Sequence, residues 1–480
     1  MYLNIDINSV TTPFFDKVVR EGAVTADKVA AFMDAYKAAS VTDVLFCVFC
    51  QIAGYDSAVF TDYADKYEQK TENGEAVDYR GRYAGLYALH KTYGLDPYAI
   101  WIDRTRKMGK KAWVSVRMND CHFNFQKTSF LRSNFFYEAK ANGWTVGDKY
   151  GYFGNCFDYA FPQVREKMLS LIEEVLAVYD ADGLELDFMR EIFCFDCQSA
   201  DHGEIVRIMR GFLRDVRALV DKAAEKRGHA ILLGLRVGRD VEQCERYGFD
   251  LTALDGLIDV VVPSPRWSQS DNQIPIAEWK RALPHTLILG CIDTLASEQH
   301  GAQAHMTAAL TRGSAILFLA QGADDIYLYN YFRELDAARD EEIYATCGSY
   351  AEAVKHPARF ALIGEERGMN PAPTPLADPL PIKVEADERV VAFPLGDAYA
   401  GRNARLILGF LKGSPADVAV TVGGKRVTGF VPCPVPAPAA AMEAGSVCYE
   451  AAIVLAEGVQ AVGFASCGDE AVISWVEIDG

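Results

Sequence analysis

The sequence predicts a (β/α)8 barrel, also called a TIM barrel, followed by an all-β sandwich, and three observations lead to this prediction. Short apolar segments alternate with amphipathic segments from the start of the chain to about residue 335, as in a parallel barrel. No Gly-rich phosphate turn follows the first segment and no Walker motif is present, which disfavours the alternative of an open doubly wound sheet. Beyond a Pro-rich stretch, short alternating segments with turn signals replace the helical pattern.

Eight apolar segments are predicted to be the barrel strands: Tyr2–Ile7, Asp43–Phe49, Ala112–Arg117, Gly183–Phe188, Ala230–Val237, Ile258–Pro263, Leu287–Ile292 and Asp325–Asn330. Amphipathic segments such as Pro162–Tyr179 and Gly203–Arg227 predict helices between them. The apolar run Ala315–Ala320 is assigned to the end of a helix that begins near Gln303, because Gly322 would cap that helix before the eighth strand. A helical return is expected over Glu334–Lys355.

Composition divides the chain into three parts. We expect the barrel over residues 1–365, a stiff Pro-rich linker over 366–382 and an accessory sandwich over 383–480. In the last part, Thr421-Val-Gly-Gly-Lys425 predicts a hairpin turn. The strands expected there are Val390–Phe393, Arg405–Phe410, Val418–Val422, Ala452–Leu455, Ala461–Phe464 and Ala471–Ile478.

Charge and cysteine content restrict the partners and the compartment. The chain has 480 residues and a formal net charge of -18, which argues against nucleic acid or an anionic membrane surface as the main partner. The first residues show no signal-peptide pattern, and the apolar runs are too short to cross a bilayer. Two CxxC spacings, Cys47/Cys50 and Cys194/Cys197, leave a zinc site as the less favoured alternative. The simpler interpretation is a cytoplasmic protein with reduced thiols. We expect neither a metal nor a cofactor. A homo-oligomer is possible.

The fourth predicted strand carries the candidate catalytic acids. Alternate side chains of a strand share a face, so Glu185 and Asp187 point the same way, at the strand end where barrel enzymes work. Burying unpaired carboxylates is costly, which favours a site where they are used or neutralised. Asp187 is the first candidate for a nucleophile or base. The structural alternatives are that Asp187 pairs with Arg117 or Arg236, and that Glu185 orients these groups.

Asp120 and His122 follow the third strand closely, and either is a candidate general acid; the alternative for Asp120 is a helix or turn cap. Asp293, at the end of the seventh strand, is another candidate acid. Polar and aromatic residues at the other strand ends suit a hydroxyl-rich ligand. The candidate substrate-binding residues are Arg117, Asn119, His122, Arg190, Arg236, Trp267, Asp293, Tyr327 and Asn330.

Six segments occur in a distinctive order: Val114-Ser-Val-Arg-Met-Asn-Asp120, Phe157-Asp-Tyr-Ala, Val164-Arg, Tyr179-Asp-Ala-Asp-Gly-Leu-Glu-Leu-Asp-Phe-Met-Arg190, Leu235-Arg-Val and Gly322-Ala-Asp-Asp-Ile-Tyr-Leu-Tyr-Asn330. As a set they resemble a group of bacterial glycosyl-hydrolase-like barrel proteins. The resemblance spans roughly residues 1–335 and implies a (β/α)8 barrel with a carbohydrate substrate. The fourth strand is also similar to that of family 18 chitinases, but Met189 stands where their motif has its catalytic Glu. Asp187-Phe-Met resembles the nucleophile segment of family 31 α-glucosidases, which agrees with Asp187 as nucleophile.

These observations predict a glycoside hydrolase that acts on oligosaccharides or glycosides. Asp187 would be nucleophile or base, and Asp120, Glu185 or Asp293 would supply the second carboxyl group. Arginines at the strand ends make an acidic sugar such as a uronate a further expectation. Two alternatives remain: a carbohydrate-binding barrel without catalysis, and a lyase that acts on an acidic sugar with Arg117 and Arg236 as carboxylate clamps.

Overall fold

A computed structural model describes residues 1–6, 12–68, 83–265, 269–299, 302–331, 336–364, 379–437 and 446–480. The chain divides into two compact units. The first comprises Met1–Pro263, Arg281–Ile288 and Asn330–Leu335, and the second comprises Ser264–Lys280, Leu289–Tyr329 and Asp336–Gly480.

A closed sheet of eight parallel strands confirms the predicted barrel. Each predicted barrel strand is present, with ends that shift by one or two residues. The strands up to residue 329 are β1 Tyr2–Ile5, β2 Asp43–Cys50, β3 Ile52–Ala53, β4 Lys111–Arg117, β5 Gly183–Asp187, β6 Leu232–Val237, β7 Val260–Pro263, β8 Leu287–Asp293, β9 Leu295–Gln299, β10 Ala302–His305 and β11 Asp325–Tyr329. The barrel order is β1-β11-β8-β7-β6-β5-β4-β2, and β1 pairs with β2 to close it. Short β3 turns back antiparallel to β2.

Helices alternate with these strands, as the amphipathic pattern predicts. They are α1 Thr12–Glu21, α2 Ala26–Ala30, α3 Tyr63–Glu68, α4 Ala84–Tyr87, α5 Pro97–Lys107, α6 Asn134–Asn142, α7 Pro162–Val178, α8 His202–Arg227, α9 Val241–Arg246, α10 Ile276–Ala282, α11 Ala308–Ala320, α12 Ala337–Thr346 and α13 Tyr350–Ala353. The long helix α8 begins where the Asp201 side chain accepts a hydrogen bond from the Glu204 amide, and it ends at Gly228 in the left-handed conformation. None of the described helices combines the length and the apolarity that a membrane span needs.

The predicted start of helix α11 near Gln303 is wrong. Ala302–His305 forms strand β10, which pairs antiparallel with β9, and the helix begins only at Ala308. Thr307 sets this start because its side chain accepts a hydrogen bond from the Leu310 amide. The predicted end is confirmed: Ala315–Ala320 is helical, and Gly322 follows with a φ of +95°.

The predicted helical return is interrupted, since α12 and α13 are separate helices and Glu334 lies outside the described residues. Ser349 starts α13 by accepting a hydrogen bond from the Glu352 amide, which explains the break.

Two antiparallel sheets in the second unit confirm the predicted sandwich. Their strands are β12 Arg359–Ala361, β13 Ile382–Val384, β14 Arg389–Pro394, β15 Asn403–Lys412, β16 Val418–Val422, β17 Lys425–Arg426, β18 Val431–Cys433, β19 Val447–Val454, β20 Val459–Ser466 and β21 Ala471–Asp479. One sheet has the order β12-β21-β15-β19-β18, with β13 also on β21, and the other has β14-β20-β16-β17. Strand β12, although it precedes the Pro-rich segment, pairs with β21. Most of that segment, residues 365–378, lies outside the described residues.

The predicted hairpin turn is also present in this unit. Thr421 pairs with Arg426 and Val422 with Lys425, which leaves Gly423 and Gly424 as the two turn residues. Both have positive φ values, +56° and +74°, as a two-residue type I′ hairpin requires.

Close packing around Trp113 yields a stability prediction for the first unit. A Cβ atom on Gly183 would lie 2.2 Å from the Trp113 ring, whose indole N–H donates to Asp43 at 2.8 Å. We expect Gly183→Ala to lower the free energy of unfolding by about 1–3 kcal/mol, because the ring must shift. Gly211→Ala is the matched control: this exposed position of α8 has open space, so the free energy of unfolding should rise by up to about 1 kcal/mol. Urea unfolding of both variants measures the difference, and equal midpoints would contradict the prediction.

Candidate active site

The register of three neighbouring strands arranges the interior side chains in layers. Successive side chains alternate between the two faces of a strand, so every second residue of β4, β5 and β6 points into the barrel. The lowest of these layers contains Trp113 and Gly183, the next contains Ser115, Glu185 and Gly234, and the one at the strand ends contains Arg117, Asp187 and Arg236. The predicted shared face of Glu185 and Asp187 is present.

Glu185 occupies the middle layer, and two neutral donors are among its partners. Its Oε1 atom accepts hydrogen bonds from Ser115 Oγ at 2.7 Å and from Asn4 Nδ2 at 3.2 Å. The residue is 1% exposed, and Gly234 lies opposite it in the register. These contacts connect Glu185 on β5 with side chains on β1 and β4.

Asp187 lies in the layer at the strand ends. Its Oδ1 atom accepts three hydrogen bonds, from Arg236 Nη1 at 2.8 Å, from the Met189 amide at 2.9 Å and from the Arg190 amide at 3.1 Å. No side chain in the described parts of the chain donates to its Oδ2 atom. One oxygen of this carboxylate therefore anchors the residue, and the other can serve a ligand.

Arg117 joins two further carboxylates. Its guanidinium donates from Nη2 to Asp6 Oδ1 at 2.7 Å and from Nη1 to Asp120 Oδ2 at 3.2 Å. Arg190 Nε also lies 3.6 Å from Asp120 Oδ2, while the Arg190 amide binds Asp187. Arg190 thus links the loop after the fourth barrel strand to the acid after the third.

Asp120 and His122 form a hydrogen-bonded pair. Asp120 Oδ1 contacts His122 Nδ1 and accepts hydrogen bonds from the His122 amide at 3.1 Å and from Gln51 Nε2 at 3.3 Å. Gln51 also donates to the His122 carbonyl at 2.9 Å, and its own backbone has a φ of +72°. A non-glycine residue in this conformation is uncommon and is typical of a functional site.

The pair has a defined protonation state. Burial lowers the pKa of His122 and outweighs the opposing effect of Asp120, and the positive charges of Arg190 and Arg117 lower it further. Burial alone would raise the pKa of Asp120, but His122, Arg190 and Arg117 together lower it. At neutral pH the imidazole is therefore uncharged, and the arginines keep the carboxylate ionised. Because Nδ1 faces the carboxylate, we assign the single proton of the neutral imidazole to Nδ1. Nε2 is then unprotonated and can accept a proton.

The other predicted site residues lie on several different elements. Asn119 forms hydrogen bonds with the backbone of a loop: its side chain accepts from the Phe157 amide at 2.7 Å and donates to the Phe157 carbonyl at 3.0 Å. Asp293 and Tyr327 belong to the second unit, where Asp293 Oδ1 accepts from the Leu295 amide at 2.9 Å and Tyr327 is buried. Asn330 has a φ of +60° just after β11. Trp267 lies outside the described residues.

Two residues of this interior were not predicted from the sequence. Asn4 and Ser115 lie on other strands than Glu185 but share its layer. Polar residues at inward positions of apolar strands would have been the signal. Among the described residues, no group of three or more His, Cys, Asp and Glu side chains could hold a metal ion.

Comparisons with known proteins give only distant similarities. A scan against protein-family models and a search of curated proteins each gave no match. The alpha-L-fucosidase isoenzyme 2 from Paenibacillus thiaminolyticus is similar at 15% identity and a TM-score of 0.45, over 73% of this chain and 48% of the fucosidase. A cycloisomaltooligosaccharide glucanotransferase from Paenibacillus sp. is similar at 10% identity and a TM-score of 0.36, over 99% of this chain and 57% of that protein. A glycoside hydrolase family 18 N-acetylglucosaminidase from Paenibacillus barengoltzii is similar at 10% identity and a TM-score of 0.37, over 73% of this chain and 98% of that protein. The chain spans about half the length of the first two proteins.

Titration of His122 tests the assigned protonation state. The midpoint should lie below 6.5, and Asp120→Asn should lower it further because the carboxylate stabilises the imidazolium. A depressed histidine pKa means that the unfolded chain binds the proton more readily. The contribution of His122 to stability is thus complete above pH 6.5 and is lost as the pH falls from there to the folded-state pKa.

NMR of the imidazole protons, assigned with His→Gln variants, measures these midpoints. His229 is the internal control, because its hydrogen bond to Asp180 at 2.7 Å raises its pKa and it should titrate above 6.5. A His122 midpoint above that of His229 would refute the assignment.

Proposed function

We propose that the protein is a glycoside hydrolase in which Asp187 is the nucleophile. The main support is that the two carboxylate oxygens of Asp187 differ in their hydrogen bonds. Oδ1 accepts hydrogen bonds from Arg236 and two backbone amides, whereas Oδ2 receives no hydrogen bond from a described side chain. A nucleophilic carboxylate needs one oxygen fixed for orientation and the other available to the sugar. The position of Asp187 at the carboxyl end of a barrel strand supports the same role.

The proposed reaction has two steps. Asp187 Oδ2 forms a bond to the anomeric carbon while the bond from that carbon to the leaving-group oxygen breaks, and this oxygen takes a proton. Water then adds to the anomeric carbon, gives up a proton, and displaces Asp187. The product keeps the anomeric configuration of the substrate.

His122 is the proposed proton carrier. Its Nδ1–H is oriented by Asp120, so Nε2 can hold a proton for the leaving oxygen and later accept one from water. Asp120 itself is a poor proton donor, because its pKa is lowered below its ordinary value. His122 and Asp120 therefore replace the second carboxyl group that the sequence leads one to expect.

Arg190 is the proposed contact for an acidic substrate. Its side chain is 13% exposed, whereas those of Arg117 and Arg236 are 3% and 1% exposed. A guanidinium that reaches the surface beside Asp120 supports a sugar with a carboxylate, such as a uronate.

The neutral state of His122 favours one second candidate, a lyase. An uncharged Nε2 beside Arg190 could remove the proton next to a clamped sugar carboxylate, after which the bond to the leaving oxygen breaks, a C=C bond forms and that oxygen takes up a proton. The two candidates differ in their dependence on pH. Hydrolysis needs protonated His122 and should weaken as the pH rises through its pKa, whereas elimination needs the neutral form and should strengthen.

Asp187→Asn tests the nucleophile. We expect hydrolysis of aryl glycosides and oligosaccharides to fall by about 10³-fold or more, because the amide keeps the shape of the side chain but cannot attack. Asp259→Asn is the matched control: this aspartate also pairs with an arginine, Arg217, at 2.9 Å and accepts from a backbone amide, Leu233, at 2.7 Å. The control should retain activity, with the fold of both variants checked by circular dichroism. Full activity of Asp187→Asn would remove Asp187 from the chemistry.

His122→Ala tests the proton carrier through the leaving group. Cleavage of unactivated oligosaccharides should fall by about 10²–10⁴-fold, because the departing alkoxide needs a proton. Cleavage of dinitrophenyl glycosides should fall much less, because dinitrophenolate is stable enough to leave without being protonated. In the unmodified enzyme the alkaline limb of kcat/KM should lie below pH 6.5. Equal losses for both substrates would reject His122 as proton carrier, and an unsaturated product with activity rising at high pH would identify the lyase.

A further inference from the structure

Two exposed phenyl rings follow the candidate proton carrier. Phe123 is 37% exposed and Phe125 is 61% exposed, and their ring centroids are 6.5 Å apart. Asn124 between them is buried, so the two rings project from a short turn in which the middle residue faces inward. Aromatic side chains of this size are usually buried, and exposed neighbouring rings indicate a binding surface.

The turn that presents the rings is held in place by several hydrogen bonds. The Asn124 amide donates to the Cys121 carbonyl at 3.1 Å and the Gln126 amide to the Phe123 carbonyl at 3.0 Å. Arg132 Nε donates to the Asn124 carbonyl at 3.0 Å. Phe123 has a φ of +62°, which is an outlier for a bulky residue and is typical of positions kept for function.

The rings also adjoin the catalytic candidates. The Phe123 ring packs edge-on against the His122 imidazole, with centroids 5.0 Å apart, and His122 is bonded to Asp120. A ligand in contact with these rings would therefore extend to the proposed proton carrier.

We propose that Phe123 and Phe125 form a stacking subsite for sugar units of an oligosaccharide. This inference rests on the proposed function, because a carbohydrate substrate uses both polar partners for its hydroxyls and an apolar platform for its ring face. The C–H faces of a pyranose ring are apolar and pack on aromatic rings, while its hydroxyls remain free for polar partners. A turn that is ordered before binding loses little entropy when the sugar packs on it.

The test measures binding apart from catalysis. In the Asp187→Asn background, titration calorimetry follows four linear pentasaccharides, of glucose, xylose, N-acetylglucosamine and galacturonic acid. The Kd of the pentasaccharide that binds should rise about tenfold in Phe123→Ala/Phe125→Ala, since stacking on two rings is lost. Phe125→Ala alone leaves Phe123, with its positive φ, unchanged and should raise the Kd by a smaller factor. Phe125→Tyr keeps an aromatic ring and should bind with the Kd of the parent. Tyr93→Ala, at a tyrosine that is 43% exposed, is the control and should bind as the parent does.

The outcomes separate the subsite from the reaction. Unchanged Kd values in the double variant, or no binding of any of the four probes by the parent, would overturn the subsite. Ring-dependent binding without cleavage by the unmodified enzyme would leave the subsite standing and refute hydrolysis. In an active enzyme, the loss of the rings should raise KM for the pentasaccharide with little change in kcat, and aryl monoglycosides should be affected less.

Discussion

The ion pair between Asp187 and Arg236 is the interaction on which the rest of the candidate site depends. Both side chains are 1% exposed, and an unpaired charge there would cost several kcal/mol of stability because it has lost its water. The pair links the ends of two neighbouring strands, with Arg236 Nη1 2.8 Å from Asp187 Oδ1. It also fixes the start of the following loop, because the same Asp187 oxygen accepts from the Met189 and Arg190 amides. The position of Arg190, and through it the contact with Asp120, follows from this anchor.

The middle layer of the barrel, which contains Glu185, differs in its polar groups from the layer of Asp187. The two acids of the fourth barrel strand therefore have different partners. Glu185 has the neutral donors Ser115 and Asn4 among its partners, whereas Asp187 has a guanidinium and backbone amides. A carboxylate held from three strands by side chains is well suited to fix their register. Asp187 lies instead in the layer at the strand ends, where barrel enzymes carry out their chemistry. The sequence already favours Asp187 as the reacting acid, and the structure adds the different partners of the two carboxylates.

Much of the barrel could be predicted because strand periodicity is a local property. The shared face of Glu185 and Asp187, and the pairing of Asp187 with Arg117 or Arg236, follow from period-two alternation and the cost of buried charge. The contacts of Asn119 with Phe157 could not be predicted, because whether an amide meets a backbone loop depends on residues far along the chain. The start of α11 was missed for a related reason: the hairpin of β9 and β10 is stabilised by pairing, which overrides local helix propensity. Phe123 has a positive φ, a backbone conformation that composition does not indicate.

The protonation of His122 couples the charge of the site to its substrate. Burial of His122, together with the positive charges of Arg190 and Arg117, lowers its pKa, so the free protein holds His122 neutral near pH 7. Under the proposed function, a sugar carboxylate bound at Arg190 would cancel part of that positive charge. Electrostatics then raises the pKa of His122 in the complex, because a bound carboxylate offsets part of the positive charge that disfavours the imidazolium. An acidic substrate would in this way help to protonate the group that cleaves it, whereas a neutral sugar would leave His122 as a base. The selectivity of the site and its chemistry would thus share one cause, the arrangement of Arg190 between Asp187 and Asp120.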